Sequence, residues 1–422
     1  MLDAGQIRKG IAALDKGDDA ASRQILLNWK AVTTDEWAKV PADQTRSLVE
    51  ALRRRLSGNS LQKGNKQPSL HKEVAIVLGN IGLRATSAIS DLMELLQAGV
   101  PDPVREAAVV ALGKFGRESK GAVGDLIELC NSRTSLAIQA IRAIGDIGTA
   151  DQRVRTALVA QWQTPQTQAT QVQAGVALCK LKIDAKDLTG TLAATLMTSQ
   201  DPSLRKSAAE ALGWRNKDDA DAVPSLLAAS LGDKNEEVQL TAKAALERMK
   251  LTQEKAILVC AKQLGVSVYA ETALRKCGAP TVPALIEALR ATEPTARVKA
   301  ARLLATLGEQ ATAAVPALTT SLRDRNAEVR LAAAKGLWNV TKQPDLAVPV
   351  LVHLLKEKPP FDDDAGEARR MFLQTTIEAL WRIGPPASAA VPTLQRMTKE
   401  KNRLVSESAI EALKKIAPTA VR

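Results

Sequence analysis

Apolar residues return along this chain at alternating spacings of three and four, and these stretches come in pairs. Between Pro101 and Cys130, the positions Val104, Ala107, Ala108, Ala111, Leu112 and Phe115 trace one helical face. Gly116 interrupts it, and after a polar turn Ala122, Val123, Leu126, Ile127 and Cys130 trace a second. Asp102 is placed to cap the first helix, and Gly116 to close it in the left-handed conformation. The pair reads as a helical hairpin. Its central apolar anchor, usually preceded by a small residue, recurs at Leu78, Leu112, Ile144, Leu178, Leu212, Leu246, Leu274, Leu304, Leu337, Leu380 and Leu413. The intervals are 34, 32, 34, 34, 34, 28, 30, 33, 43 and 33 residues, the range of a stacked helical repeat. Later copies open their second helix with proline, at Val223-Pro224, Val282-Pro283, Val315-Pro316, Val348-Pro349 and Val391-Pro392. Proline in a first helical turn loses no hydrogen bond that the helix needs.

A lone hairpin leaves most of its apolar stripe in water and cannot offset the entropy of ordering, whereas a neighbour on each side covers that stripe. The predicted fold is therefore all-α, a right-handed α-solenoid of about ten hairpins. Residues 1–57 carry helical stripes without the repeat: Ile7, Ile11 and Leu14, then Ile25, Leu26 and Trp29, then Leu48, Leu52 and Leu56 beside Arg53-Arg54-Arg55. Thr33 and Glu36 suit a capping box. An N-terminal helical cap fits these residues, because a solenoid needs an atypical first unit to shield its end; a separate recognition element is the alternative. The polar, turn-rich run from Ser57 to Ser69 marks the boundary, dividing the chain into a cap and linker over 1–66 and repeats over 67–422. The clipped interval before Leu274 predicts a shortened hairpin. The long interval before Leu380 holds an insertion around Lys356 to Arg370, and long loops in compact repeats often carry function. The last hairpin looks unfinished after Ile416, which suggests a terminal cap, a longer parent chain, or an end open to weak self-association of an otherwise monomeric protein.

Composition agrees with thin helical layers: 45% of residues are hydrophobic but only 2% aromatic. The core must be built from Ala, Leu, Val and Ile. Cys130, Cys179, Cys260 and Cys277 form no C-x-x-C pair and read as reduced structural thiols. The start lacks the basic and apolar regions of a signal peptide and no run reaches a membrane span, so a cytoplasmic protein is expected, or an extracytoplasmic one whose signal has been removed.

The run Asp102-Pro103-Val104-Arg105 leading to Ala111-Leu112-Gly113, echoed by Asp201-Pro202, Arg205 and Leu212-Gly213, resembles the HEAT repeat. It is also similar to the HEAT-like repeats of phycobilin lyases. The resemblance covers roughly residues 71–422 and implies an armadillo-type α-solenoid. It says almost nothing about function.

The formal net charge is +12. Residues 1–70 hold 12 basic against 8 acidic side chains, residues 71–292 hold 26 against 24, and residues 293–422 hold 20 against 14. No continuous basic stripe results. In HEAT-like solenoids the first helices line the convex side, and here they carry many of the C-terminal cations, among them Arg297, Arg302, Arg330, Lys335 and Arg382. A concave grip on phosphates would require the reverse. The recurrence of Arg105, Arg205 and Arg330 at one repeat position points to contacts between units.

Catalytic signatures are sparse. His71 and His353 are the sole imidazoles, and His353 reads as a partly buried helix residue. The His-Glu pairs of HEAT-like di-iron hydroxylases and the aromatic site of HEAT-like alkylpurine DNA glycosylases have no counterpart, and nothing marks a bilin pocket. Asp362-Asp363-Asp364 could bind a divalent cation but reads as a solvated run, so no metal, cofactor or catalytic residue is expected.

These readings converge on a non-enzymatic protein-protein interaction scaffold that holds a partner protein along the concave face formed by second helices. Nucleic-acid or polyanion binding through the basic C-terminal third is the alternative. The candidate partner-binding residues are Phe361, Asp362 and Asp363 in the insertion, Trp338 and Trp381 after their anchors where other units have glycine, and Arg396 and Lys399 on a second helix. Truncating an anchor, as in Leu212→Ala, should cost about 2–5 kcal/mol in chemical denaturation.

Overall fold

The computed structural model describes residues 3–57, 69–132, 135–357 and 366–421, and among these every regular element is a helix. The chain forms two compact units, residues 1–215 and 216–422. In the first unit, α1 (Ala4–Lys16), α2 (Asp19–Trp29), α3 (Thr34–Ala38) and α4 (Ala42–Leu56) precede the repeats. There follow α5 (Ser69–Ile81), α6 (Ile89–Glu94), α7 (Asp102–Lys114), α8 (Val123–Leu129), α9 (Ser135–Ile147), α10 (Gln152–Gln163), α11 (Gln168–Lys180), α12 (Leu188–Thr198) and α13 (Pro202–Leu212). The second unit holds α14 (Ala222–Gly232), α15 (Glu236–Arg248), α16 (Gln253–Lys262), α17 (Ala270–Cys277), α18 (Val282–Ala288) and α19 (Pro294–Leu307). It continues with α20 (Val315–Ser321), α21 (Ala327–Thr341), α22 (Pro344–Leu354), α23 (Glu367–Ile383), α24 (Val391–Met397) and α25 (Arg403–Ile416).

Each unit is an α-solenoid in which hairpins stack side by side. In the first, the first helices α5, α7, α9, α11 and α13 pack in sequence as a row. Every anchor from Leu78 to Leu212 is buried to the last per cent. The residue after the anchor sets how closely neighbours approach. A Cβ added to Gly113 would lie 3.1 Å from the Cα of Ala143 on the next first helix, and Gly79 and Gly145 meet Ala111 and Ala177 in the same way. Glycine here brings two backbones together, which gains dispersion contacts that a side chain would exclude.

Ahead of the repeats, α1 and α4 pack together while α2, α3 and α4 lie on α5. Trp29 and Trp37 meet edge to face at 6.0 Å. The basic triplet of α4 is wholly engaged within the fold: Arg53 pairs with Asp91 at 2.5 Å, Arg54 with Asp15 at 2.8 Å, and Arg55 with Asp19.

Local rules hold with two instructive departures. Thr33 and Glu36 form the expected capping box, and Gly116 adopts φ +55°. Helix α7, however, begins at Asp102 itself, with Pro101 in the cap position, so the Asp102 carboxylate turns to Arg105 at 3.2 Å instead of capping. Second helices α18, α20 and α24 start at the valine before their proline, each after a short 3-10 turn. In α22 the helix starts four residues before that valine, at Pro344, which leaves Pro349 inside it. Proline at that depth removes one backbone hydrogen bond. His353 in the same helix is exposed rather than partly buried, and its Nε2 lies 2.9 Å from Glu357.

The repeating arginine has one structural job. Arg205 donates to the carbonyls of Ser199 and Gln200 at 3.0 and 3.1 Å, at the end of the preceding second helix. Arg297 and Arg330 do the same for Ala291 and Thr292 and for Asp324 and Arg325. Such carbonyls lack intrahelical partners and sit at the negative end of the helix dipole. In the second unit the arginines also reach forward: Arg297 grips Asp324 through two bonds of 2.8 and 2.9 Å, and Arg330 pairs with Glu357. Burial pushes the Asp324 carboxyl up, but bonds from Arg297 and the Asn326 amide outweigh it and hold it below its ordinary value.

Burial pushes the Cys130 thiol up to about 12, against the weaker pull of its backbone hydrogen bond, as suits a thiol that packs as a small hydrophobe. Among the described residues, no helix is long and apolar enough to cross a membrane.

Asp324→Ala leaves the Arg297 charge buried without its partner and should cost about 3 kcal/mol in urea unfolding. Because the native carboxyl titrates below its unfolded value, its contribution is complete above the ordinary carboxylate range. It fades as the pH falls from about 4, so the gap between wild type and Asp324→Asn should narrow there.

Candidate functional site

The two irregular intervals in the sequence fall where the row of first helices in the second unit is broken. At the clipped repeat, α17 packs on α14 rather than on α15, and Lys276 donates to the Ala228 carbonyl at 3.1 Å. At the long interval, α21 and α23 touch over only a short stretch, whereas α19 and α21 lie in close contact. The side chains after the anchors account for the contrast. Ala305 follows Leu304, and its small side chain permits the close pairing of α19 with α21, across which Asn339 donates to the Ala305 carbonyl at 3.2 Å. Trp338 follows Leu337, and its half-buried indole packs on the apolar cluster between α21 and α23 and borders a small recess with Ala379 and Ile383. An indole needs room that the glycine spacing of the first unit does not provide.

A groove of about 430 Å³ opens beside this wedge, running along α21 with α19 and α23 as its banks. Its floor is apolar: Leu331 and Phe372 are nearly buried, and Met371, 56% exposed, forms one lip. Its rim carries Arg302, Lys335 and Arg382, with Glu328 toward one end and Thr375 and Asn339 as neutral polar groups. Arg382 is held by Glu378 at 2.7 Å. Arg302 and Lys335 form no ion pair among the described residues. Burial lowers the Lys335 ammonium below its ordinary range; Glu378 opposes this, while Arg382 and Arg302 add to it.

The other basic residues of the first helices are largely engaged elsewhere. Arg275 pairs with Glu271 at 2.6 Å, Lys414 with Glu411 at 2.7 Å, and Arg297 and Arg330 serve the helix-end contacts. Trp381 differs from Trp338. Its ring faces outward, 42% exposed, with the Lys415 ammonium 3.6 Å from its centroid, and α23 and α25 remain in close contact. Arg396 and Lys399 are exposed on and just after α24, away from the groove. Phe361, Asp362 and Asp363 lie outside the described residues. Of the expected site residues that are described, Trp338 alone adjoins the groove, while Arg302, Lys335, Met371 and Phe372 were not singled out as contact residues by their sequence context. No group of three or more His, Cys, Asp or Glu side chains that could hold a metal occurs among the described residues.

A family model of HEAT repeats matches residues 158–247, 189–262 and 282–370. Among solved structures, the karyopherin Kap121p bound to the extreme C-terminus of the protein phosphatase Cdc14p is 12% identical, with 99% of this chain and 50% of that chain covered and a TM-score of 0.39. Yeast importin-beta (Kap95p) is 13% identical over 95% of this chain and 60% of that one, with a TM-score of 0.36. A structure describing a phosphorylation switch in the interaction between cadherin and beta-catenin is 13% identical over 96% and 99%, with a TM-score of 0.32. The chain spans about half the length of the Kap121p chain. No curated protein matches the sequence.

Glycine spacing and the tryptophan wedge can be separated by mutation. Gly113→Val should lower stability by about 1–3 kcal/mol in thermal or chemical unfolding, because the added branch must enter the α7–α9 contact.

Proposed function

The chain is a HEAT-repeat protein, and we propose that it works as a non-enzymatic scaffold that binds a partner protein, with residues 1–66 as cap and linker and 67–422 as the repeat array. The observation that carries this reading is the groove over α21, where the close-packed α19–α21 pair gives way to the open α21–α23 seam above an apolar floor with a cationic rim. A contact there covers Met371 and Phe372, whose side chains can anchor a partner in the way that a few central apolar groups do in most interfaces. This reading moves the contact surface from the second helices, where the sequence analysis puts it, to the first helices of the second unit.

Binding of a nucleic acid along the C-terminal third has less support. Most first-helix cations there already hold helix ends or acidic neighbours, so few remain to neutralise a run of phosphates.

A photo-crosslinking side chain at Thr375 in the groove, compared with one at Thr320 on α20, tests the reading in extracts of the source cells. Protein adducts from Thr375 that survive nuclease treatment, with few from Thr320, are the expected result. Adducts mainly from Thr320 would return the contact to the second helices, and nuclease-sensitive adducts would favour the nucleic-acid alternative.

A further inference from the structure

We infer that the α19–α21–α23 groove takes an acidic segment of its partner protein, one in which carboxylates flank a large apolar side chain. The inference rests on the scaffold reading above and adds the chemistry of the segment recognised.

Three features of the groove lead to it. Phe372 and Leu331 present apolar surface at the bottom of a concavity, and Met371 stands exposed at its lip. Methionine adapts to side chains of different shape, so the floor suits a leucine or an aromatic ring. Above that floor, Arg302 on α19 and Lys335 on α21 face the same space from two helices, and neither forms an ion pair among the described residues. The third cation, Arg382, is already shared with Glu378 on α23, and Glu328 on α21 is the acidic side chain lining the groove. A carboxylate between Arg302 and Lys335 would therefore meet two cations without displacing an existing pair. Lys335 also responds to the neighbouring arginines: burial and their repulsion lower it, against the pull of Glu378, and an incoming negative charge relieves that cost.

The mixed lining separates an acidic peptide from a polyphosphate. A nucleic-acid backbone would gain from the two free cations but would have to desolvate its charges over Phe372 and Met371 and approach Glu328 and Glu378. A peptide can place its apolar side chain on the floor and its carboxylates at the rim. Two cations on separate helices also set a spacing requirement, which a flexible peptide meets by choice of rotamer.

The test measures binding of a fluorescein-labelled peptide, acetyl-Glu-Glu-Leu-Phe-Glu-Glu-amide, to the full chain by anisotropy, with a lysine-for-glutamate version and a single-stranded thymidine oligonucleotide as companion probes. The acidic peptide should bind, the lysine peptide should not, and the oligonucleotide should compete poorly. Arg302→Glu and Lys335→Glu should each weaken the acidic peptide by about tenfold, as expected for loss of one cation and gain of a repulsive charge. Arg302 is exposed, so its variant should keep the wild-type unfolding curve and separates contact from folding. Met371→Ser should weaken binding without changing its salt dependence, and the Arg302→Glu, Lys335→Glu double variant should gain affinity for the lysine peptide. Absence of acidic-peptide binding, equal binding by wild type and the charge variants, or stronger binding of the oligonucleotide would each overturn the inference. If Thr375 still forms protein adducts in that event, the scaffold reading stands and only the chemistry assigned to the segment falls; if it forms none, the scaffold reading fails as well.

Discussion

The contact between one first helix and the next is the interaction on which the rest of each unit depends. A hairpin of two short helices has no interior of its own, so its anchor leucine becomes buried only when a neighbour closes over it. In the first unit that closure is as tight as backbones allow, with the glycine after one anchor set against the alanine before the next. Because stability is distributed over such neighbour contacts, a change in one of them alters the local surface while the rest of the stack keeps its order.

Charge follows the same neighbour logic. The arginine in the first turn of a first helix ties down the last carbonyls of the helix before it, and in the second unit Arg297 and Arg330 extend the tie to an acid in the following loop. The bidentate bond from Arg297 to Asp324 is the most enclosed of these, and Asp324 in turn receives the Asn326 amide at the start of α21. A net positive chain thus places much of its basic excess inside its own joints. Arg302 and Lys335, which form no ion pair among the described residues, stand beside the opening between α21 and α23.

Much of the fold was legible because it rests on short-range rules. The period of three and four residues, the anchors and the proline starts are local signals, and they predicted the helical pairs and the two irregular repeats. The recurring arginine was also readable as a structural residue from its position alone. The departures have local causes as well: Asp102 pairs with Arg105 because α7 starts one residue early, and Pro349 falls inside α22 because that helix begins at Pro344. The candidate site was less legible. Its walls come from α19, α21 and α23, and the position after the anchor does not reveal which way a large ring will turn. Trp338 turns inward and Trp381 outward, although they occupy equivalent places in the repeat. That choice depends on the neighbouring helix surfaces.

The tryptophan in place of glycine has a consequence for how such a chain can diversify. Its position lies at the seam between repeats, one step beyond the buried anchor, so a ring there that turns inward, as Trp338 does and Trp381 does not, can pry a seam apart without disturbing the anchor beneath it. A cleft can then arise at one chosen rung of the ladder while the other rungs keep their spacing. The place of a surface groove on such a stack is then set by which seam is left ajar.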